Sequence, residues 1–242
     1  MTTLTKFIVG LIVSILIMSC RIDGDFGFGV SGNGHIQKVD RDITGEFDEI
    51  EVSRGLDVYL TQSNDFSLSV EADENLHDII MTEIENNTLY IYADENIRTA
   101  KARKVMVNFE DVSKISATSG SDVFSSNIIK TENLDLTTTS GADMELEIDV
   151  DVLECRSTSG SDLRVSGHAN KLYAEATSGS DIKAGNLKTR MCEAKATSGA
   201  DITVNTSEEL IAKATSGGDI KYHGNPEKIT KKDGVSGSVR KQ

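Results

Sequence analysis

Six aspartates in the second half of this chain share one local sequence, Thr-Ser-Gly-x-Asp. They are Asp122, Asp143, Asp162, Asp181, Asp201 and Asp219, spaced 21, 19, 19, 20 and 18 residues apart. Carboxylates at a fixed interval can do three kinds of chemistry. They can share a hard cation such as calcium, which takes several carboxylate and carbonyl oxygens. They can act as an acid and base on a glycosidic bond. They can also bond the backbone of a turn. Calcium-binding β-rolls carry their Gly-x-Asp-aliphatic motif about every nine residues. One motif per ~19 residues halves that ligand supply. The reading is a corner-stabilising ladder, with weak Ca2+ binding as the alternative and no other cofactor.

Other chemistry is sparse. The histidines, His35, His77, His168 and His223, are scattered and lack metal-ligand spacing. There is no Trp, and aromatic residues make up 5% of the chain, which leaves little for a sugar-stacking cleft. No catalytic residues are assigned and no enzyme is expected. With 39 Asp and Glu against 25 Lys and Arg, the net charge of −14 opposes binding to nucleic acid.

Cysteine supplies a different chemistry. Lys6 precedes an apolar run from Phe7 to Met18, too short for the roughly 20 residues that span a bilayer. The run fits a secretory signal peptide. It ends in Ile17-Met18-Ser19-Cys20, which resembles the lipobox of bacterial lipoproteins, in which the cysteine is lipidated. Residues 1–19 are therefore read as a lipoprotein signal peptide, with Cys20 as the membrane anchor. Cys155 and Cys192 fall two repeats apart, about 10 Å at ~4.8 Å per coil, beyond the roughly 7 Å reach of a disulfide. Both are expected to be buried free thiols.

The elements that position these residues follow from the period. A repeat of about 20 residues marks a solenoid, here an all-β parallel β-helix with coils of about 19–20 residues. The corner glycines, Gly120, Gly141, Gly160, Gly179, Gly199 and Gly217, supply positive φ. Ser and Asp are expected to bond the turn amides. Columns seven, five and three before each glycine are apolar or small: Ser113 to Leu210, Ile115 to Ala212, and Ala117 to Ala214. They face inward, as does the column three after, Val123 to Ile220. Each coil then reads as strand, corner, strand and variable return. The Thr column, Thr118 to Thr215, reads as a solvated ladder.

Residues 20–39 read as a Gly-rich tether, and 40–239 as the β-helix domain, with irregular first coils over 40–112 and regular repeats over 113–239. Ser53-Arg54-Gly55-Leu56-Asp57 is a degenerate copy of the motif. Asp73 to His77 reads as one helical turn, Asn86-Asn87 as a turn between strands, and the Lys-rich end from Asn225 to Gln242 as a cap.

These corners resemble the head GIN domain family of auto-transporter adhesins, common in Bacteroidetes. Ile43-Thr44-Gly45-Glu46-Phe47-Asp48 and Gly55-Leu56-Asp57-Val58-Tyr59-Leu60 carry the same resemblance, which covers about Arg41 to Val239. It implies a right-handed parallel β-helix and an adhesin-like role. The expected function is a lipid-anchored outer-membrane binding module, at the surface or the periplasmic face, that engages a glycan or protein. A periplasm-facing scaffold is the alternative, and a polysaccharide-active enzyme comes third. Oligomeric state is not read from the sequence.

Overall fold

The computed structural model describes residues 29–42, 44–234 and 236–242. The proposed anchor Cys20, Ile43 of the lead-in and Val235 of the last corner lie outside them. Strands dominate the described residues, with one short 3-10 turn at Glu74–Leu76. They wind into a β-solenoid of about seven turns.

Alternation along each strand explains the winding. In Asp143–Thr158, Met144, Leu146, Ile148 and Val150 point inward while Glu145, Glu147 and Asp149 point out. A half-buried strand of this kind needs a second wall to cover its apolar face. The sharp corner supplies that wall from the same chain. Successive turns stack in parallel register, Leu134 on Leu153, Leu172, Cys192 and Leu210. The inward columns are buried as expected, with one exception. Ser113 is exposed, donates to Asp48 O and is replaced inside by fully buried Val112. The repeat register begins one residue later, at Lys114–Ala117.

In the middle of the column the variable return is itself part of a strand. Asp162–Thr177, Asp181–Thr197 and Asp201–Thr215 are each one continuous strand, so each turn has a single sharp corner. Length differences are absorbed by register shifts, between Arg164 and Ser166 and between Ala184 and Thr189.

The N-terminal end is built differently. Glu49–Val52 and Asp57–Gln62 form a first turn in register with the repeats. The chain then leaves the solenoid and returns at Lys114. The intervening segment extends both walls with antiparallel pairs, Ser67–Asp73 on Arg103–Phe109 and Ile80–Glu85 on Thr88–Ala93. Asn86 and Asn87 both have positive φ at the hairpin turn.

The Gly-rich stretch is not a free tether over its whole length. Val30–Ser31 pairs with Ile97–Thr99, and Ile36–Arg41 pairs antiparallel with Ser67–Asp73. The reason is close approach: a Cβ on Gly32 would lie 2.5 Å from the Asp73 carboxyl carbon. Asp73 is solvent-inaccessible and accepts the backbone N–H of Gly34 at 2.5 Å, of Lys101 at 2.7 Å and of Ala102 at 3.1 Å. One carboxylate thus stitches the entering chain to the segment before Arg103–Phe109.

At the C-terminal end, Ser236 has the positive φ of the earlier corner serines, and Ser238 pairs with Asp219. The last half-turn expected from Val235-Ser236-Gly237-Ser238 therefore has its corner. Lys228–Asp233 and Ser238–Lys241 are the final strands of the two walls.

Candidate functional site

The corner sets the position of every ladder aspartate. Ser119 and Gly120 have φ of 56° and 68°, and each later corner repeats the pair. Two consecutive left-handed residues turn the chain back tightly. The residue after the glycine swings inward: Ser121, Ala142, Ser161, Ser180 and Ala200 are all buried. Ser121 Oγ donates to Thr118 O at 2.7 Å and Val52 O at 3.2 Å. Ser180 Oγ likewise bonds Thr177 O and Ser157 O. The glycine amides donate to the serine carbonyl of the next turn, Gly120 to Ser140 and Gly179 to Ser198. The expectation that the motif's Ser and Asp side chains bond these amides is thus corrected: the backbone takes them, and the working hydroxyl is at the variable position.

The aspartate side chains therefore point to the outer face. Their column runs Lys104, Asp57, Asp122, Asp143, Asp162, Asp181, Asp201, Asp219, Ser238. Asp57, from the degenerate copy, adds a seventh carboxylate. Like charges on neighbouring strands about 4.8 Å apart repel. The Asp122 carboxyl is raised by burial and then by Asp57 and Asp143, with Arg103 opposing.

The next outward column supplies cations to the lower half. Arg164 Nη2 lies 2.8 Å from Asp162 Oδ2. Lys183 Nζ lies 2.9 Å from Asp162 and 3.1 Å from Asp181, bridging two turns where a divalent cation would sit. Burial would lower the Lys183 ammonium, but its bonds to Asp162 and Asp181 outweigh that and raise it. Arg240 lies 3.3 Å from Asp219. Among the described residues, no three His, Cys, Asp or Glu groups converge to hold a metal.

The remaining reactive groups are packed away. Thr138 Oγ1, Ser157 Oγ and Ser161 Oγ bond one another at 2.9–3.1 Å inside the core. Cys155 stacks beside Ala174 and Cys192 beside Leu172, in different columns, and both are buried free thiols. Burial, then Asp135 and Cys192, drives the Cys155 thiol far up. Burial, then Glu193, pushes Cys192 up to about 12. Neither is a thiolate nucleophile at neutral pH. The Thr column is half-buried, with Thr215 Oγ1 3.2 Å from Thr197 Oγ1.

The wall before the corner carries the exposed apolar residues Tyr173, Met191 and Ile211. They border a shallow groove of about 190 Å³. Near the first corner, Tyr59 and Phe124 stack with centroids 5.3 Å apart. Sequence reasoning noted Tyr173 and Ile211 as breaks in the outward pattern but did not find the Tyr59–Phe124 pair. The signal was present, because both residues stand two after a ladder aspartate.

No curated protein matches the chain. Solved structures do. A Bacteroides fragilis protein described as an adhesin is 25% identical with a TM-score of 0.81, over 88% of this chain and 100% of its own. A Parabacteroides distasonis protein described as lipid binding is also 25% identical, with a TM-score of 0.73 over 88% of this chain and 99% of its own. A Parabacteroides merdae adhesin, at 19% identity, 89% and 99% coverage and a TM-score of 0.72, shares the fold. Residues 46–226 match the family model described as "Putative auto-transporter adhesin, head GIN domain". The chain belongs to the head GIN domain family.

Proposed function

We propose that this protein is a lipid-anchored cell-envelope adhesin, a binding module that presents the sides and end of a rigid solenoid to a glycan or protein. The carrying observation is polarity of the column. In the ladder wall the strands run from Ile36–Arg41 at one end to Ser238–Lys241 at the other. Ten strand steps at about 4.8 Å make a column of roughly 48 Å. A chain held at Cys20 enters at the first end and places the last at a distance from the membrane. The adhesin descriptions of the family and of its structural neighbours support a binding role. The buried hydroxyls and thiols support a non-enzymatic reading.

The test has two arms. Cells expressing the chain are fed a labelled fatty acid, and label is expected on the wild type and absent from Cys20→Ala. Intact cells are then treated with protease, with a periplasmic protein as control. Loss of the protein while the control survives supports surface display. Survival in intact cells with digestion after permeabilisation refutes the adhesin reading and leaves a periplasm-facing scaffold.

A further inference from the structure

Charge is distributed unevenly along the column. Residues 219–242 hold six cations, Lys221, Lys228, Lys231, Lys232, Arg240 and Lys241, against Asp219, Glu227 and Asp233. That end is +3 on a chain of −14, so the other 218 residues carry −17. A cationic tip on an acidic shaft draws anionic groups to the tip alone.

The tip is also an unfinished sheet. Among the described residues Lys228–Asp233 pairs only with Glu209–Ala214, and all six of its residues are exposed. Its free backbone edge can accept another strand. Ile229 continues the core column above Leu210 yet is 43% exposed, since no described residue stacks over it. Outward from the same strand stand Lys228, Thr230 and Lys232. Lys232 stacks on Lys213, which stacks on Lys195. Three like charges on neighbouring strands destabilise a sheet. Only Lys195 is relieved by an ion pair, to Glu175, and Lys228 is held by Glu209. Lysines on an edge repel a neutral or basic strand, whereas a strand bearing carboxylates meets no such barrier.

We propose that the edge Lys228–Asp233 is a docking site for an extended acidic polypeptide segment, added as one more strand. Its carboxylates lie over Lys228 and Lys232, and an apolar side chain between them covers Ile229. Outward the edge presents Lys228, Thr230 and Lys232; inward, Ile229 is followed by Lys231 and Asp233, which stand over Ala212 and Ala214. The backbone groups and Ile229 favour a polypeptide over a polysaccharide, which would use the charge alone. This inference deepens the binding role proposed above and does not depend on lipidation of Cys20.

The full chain in non-ionic detergent is titrated with an octapeptide of alternating Glu and Val, and with its Lys-for-Glu counterpart. Polygalacturonate and phosphatidylglycerol vesicles are run in parallel. Saturable binding of the Glu peptide alone is expected, weakening as salt rises, with slowed amide exchange confined to 228–233. Lys232→Glu leaves the fold intact, because it removes a like-charge contact, and is expected to weaken binding about fivefold or more. Equal binding of the Lys peptide, unchanged exchange at 228–233, or an unaffected Lys232→Glu overturns the proposal. So does binding of polygalacturonate or vesicles without the peptide. Surface exposure is read separately by the protease experiment, so failure here leaves that result standing.

Discussion

Asp73→Asn isolates the buried carboxylate that joins the entering strand to the solenoid cap. Its Oδ1 accepts Gly34 N–H, and its Oδ2 accepts Lys101 and Ala102 N–H. An amide has only one oxygen. The better orientation keeps Lys101 and Ala102, and turns an NH2 toward the Gly34 N–H. That loses one hydrogen bond to a charged group, roughly 1.5–3 kcal/mol, and weakens two others by about 1 kcal/mol each. The expected cost is roughly 3–5 kcal/mol, measured by urea unfolding at pH 7. The pH dependence follows from the sign of the shift. Burial opposes ionisation, but backbone N–H groups of Ala102, Gly34, Lys101 and Asp73 itself outweigh it and hold the carboxyl below its ordinary value. A carboxyl depressed in the folded state contributes stability that is fully present above its unfolded pKa, about 3.9. That stability is lost as pH falls through the folded value. The gap between wild type and Asp73→Asn therefore narrows below about pH 4. A variant within about 0.5 kcal/mol of wild type at pH 7 would refute the stitching role, since that is the scatter of ordinary surface substitutions.

Three further outcomes follow from the corners, the ladder and the core. Asp122→Asn is expected to raise the melting temperature at pH 7 by the equivalent of about 0.2–1 kcal/mol, the range of a like-charge cross-strand contact. The Asp122 carboxyl is raised in the folded state, so its ionised form costs stability above that pKa and the cost vanishes as pH falls through it; a lower melting temperature contradicts this. Gly179→Ala and Gly218→Ala separate backbone conformation from contact. Nothing lies within 4 Å of a Cβ on Gly179, so only its φ of 70° counts, roughly 1–2 kcal/mol. A Cβ on Gly218 would lie 2.6 Å from the Ala196 carbonyl and costs about 3 kcal/mol. Equal costs in chemical denaturation would show that the corners yield. Cys155 and Cys192 are expected to resist maleimide at pH 8 until urea unfolds the chain, and mass spectrometry of the oxidised protein should find no bond between them.

The periodic half of the chain was legible because each coil repeats the same constraints. Leu172, Ala174 and Ala176 face inward and Tyr173 and Glu175 outward, as two-residue alternation requires, and neighbouring turns copy that phase. The register also placed Cys155 and Cys192 in separate columns. The cap was less legible, because Ile36–Arg41, Ser67–Asp73 and Arg103–Phe109 pair antiparallel with partners far away in sequence. Gly32 and Gly34 read as flexible by composition, and only the position of Asp73 shows that Gly32 is needed for close approach. Ser113 was misassigned because the glycine-based frame was extended one residue before the repeat begins. At the corners, the glycine was read correctly but the serine beside it was not expected to be left-handed too. That second left-handed residue is what turns the variable position into the core and the aspartate out.

The same geometry limits what the ladder can do. Because the corner amides bond backbone carbonyls, the aspartates are not needed to close the turn. Because Lys183 spans Asp162 and Asp181, Arg164 sits on Asp162 of its own turn and Arg240 reaches Asp219 of the turn before, part of the charge is already balanced within the wall. At Asp162, Asp181 and Asp219 a competing ligand must displace an ion pair for each one it gains, which is a poor route to affinity. Recognition is better served where the period stops. At the N-terminal end Ile36–Arg41 is itself an edge strand, paired with Ser67–Asp73, and its Ile36 and Val39 are exposed. At the C-terminal end the lysines of 228–233 stand over an open edge and an uncovered core column. The repeats provide length, and the backbone edges and apolar side chains left uncovered by stacking lie at the two ends, of which the last turn carries the excess of lysines.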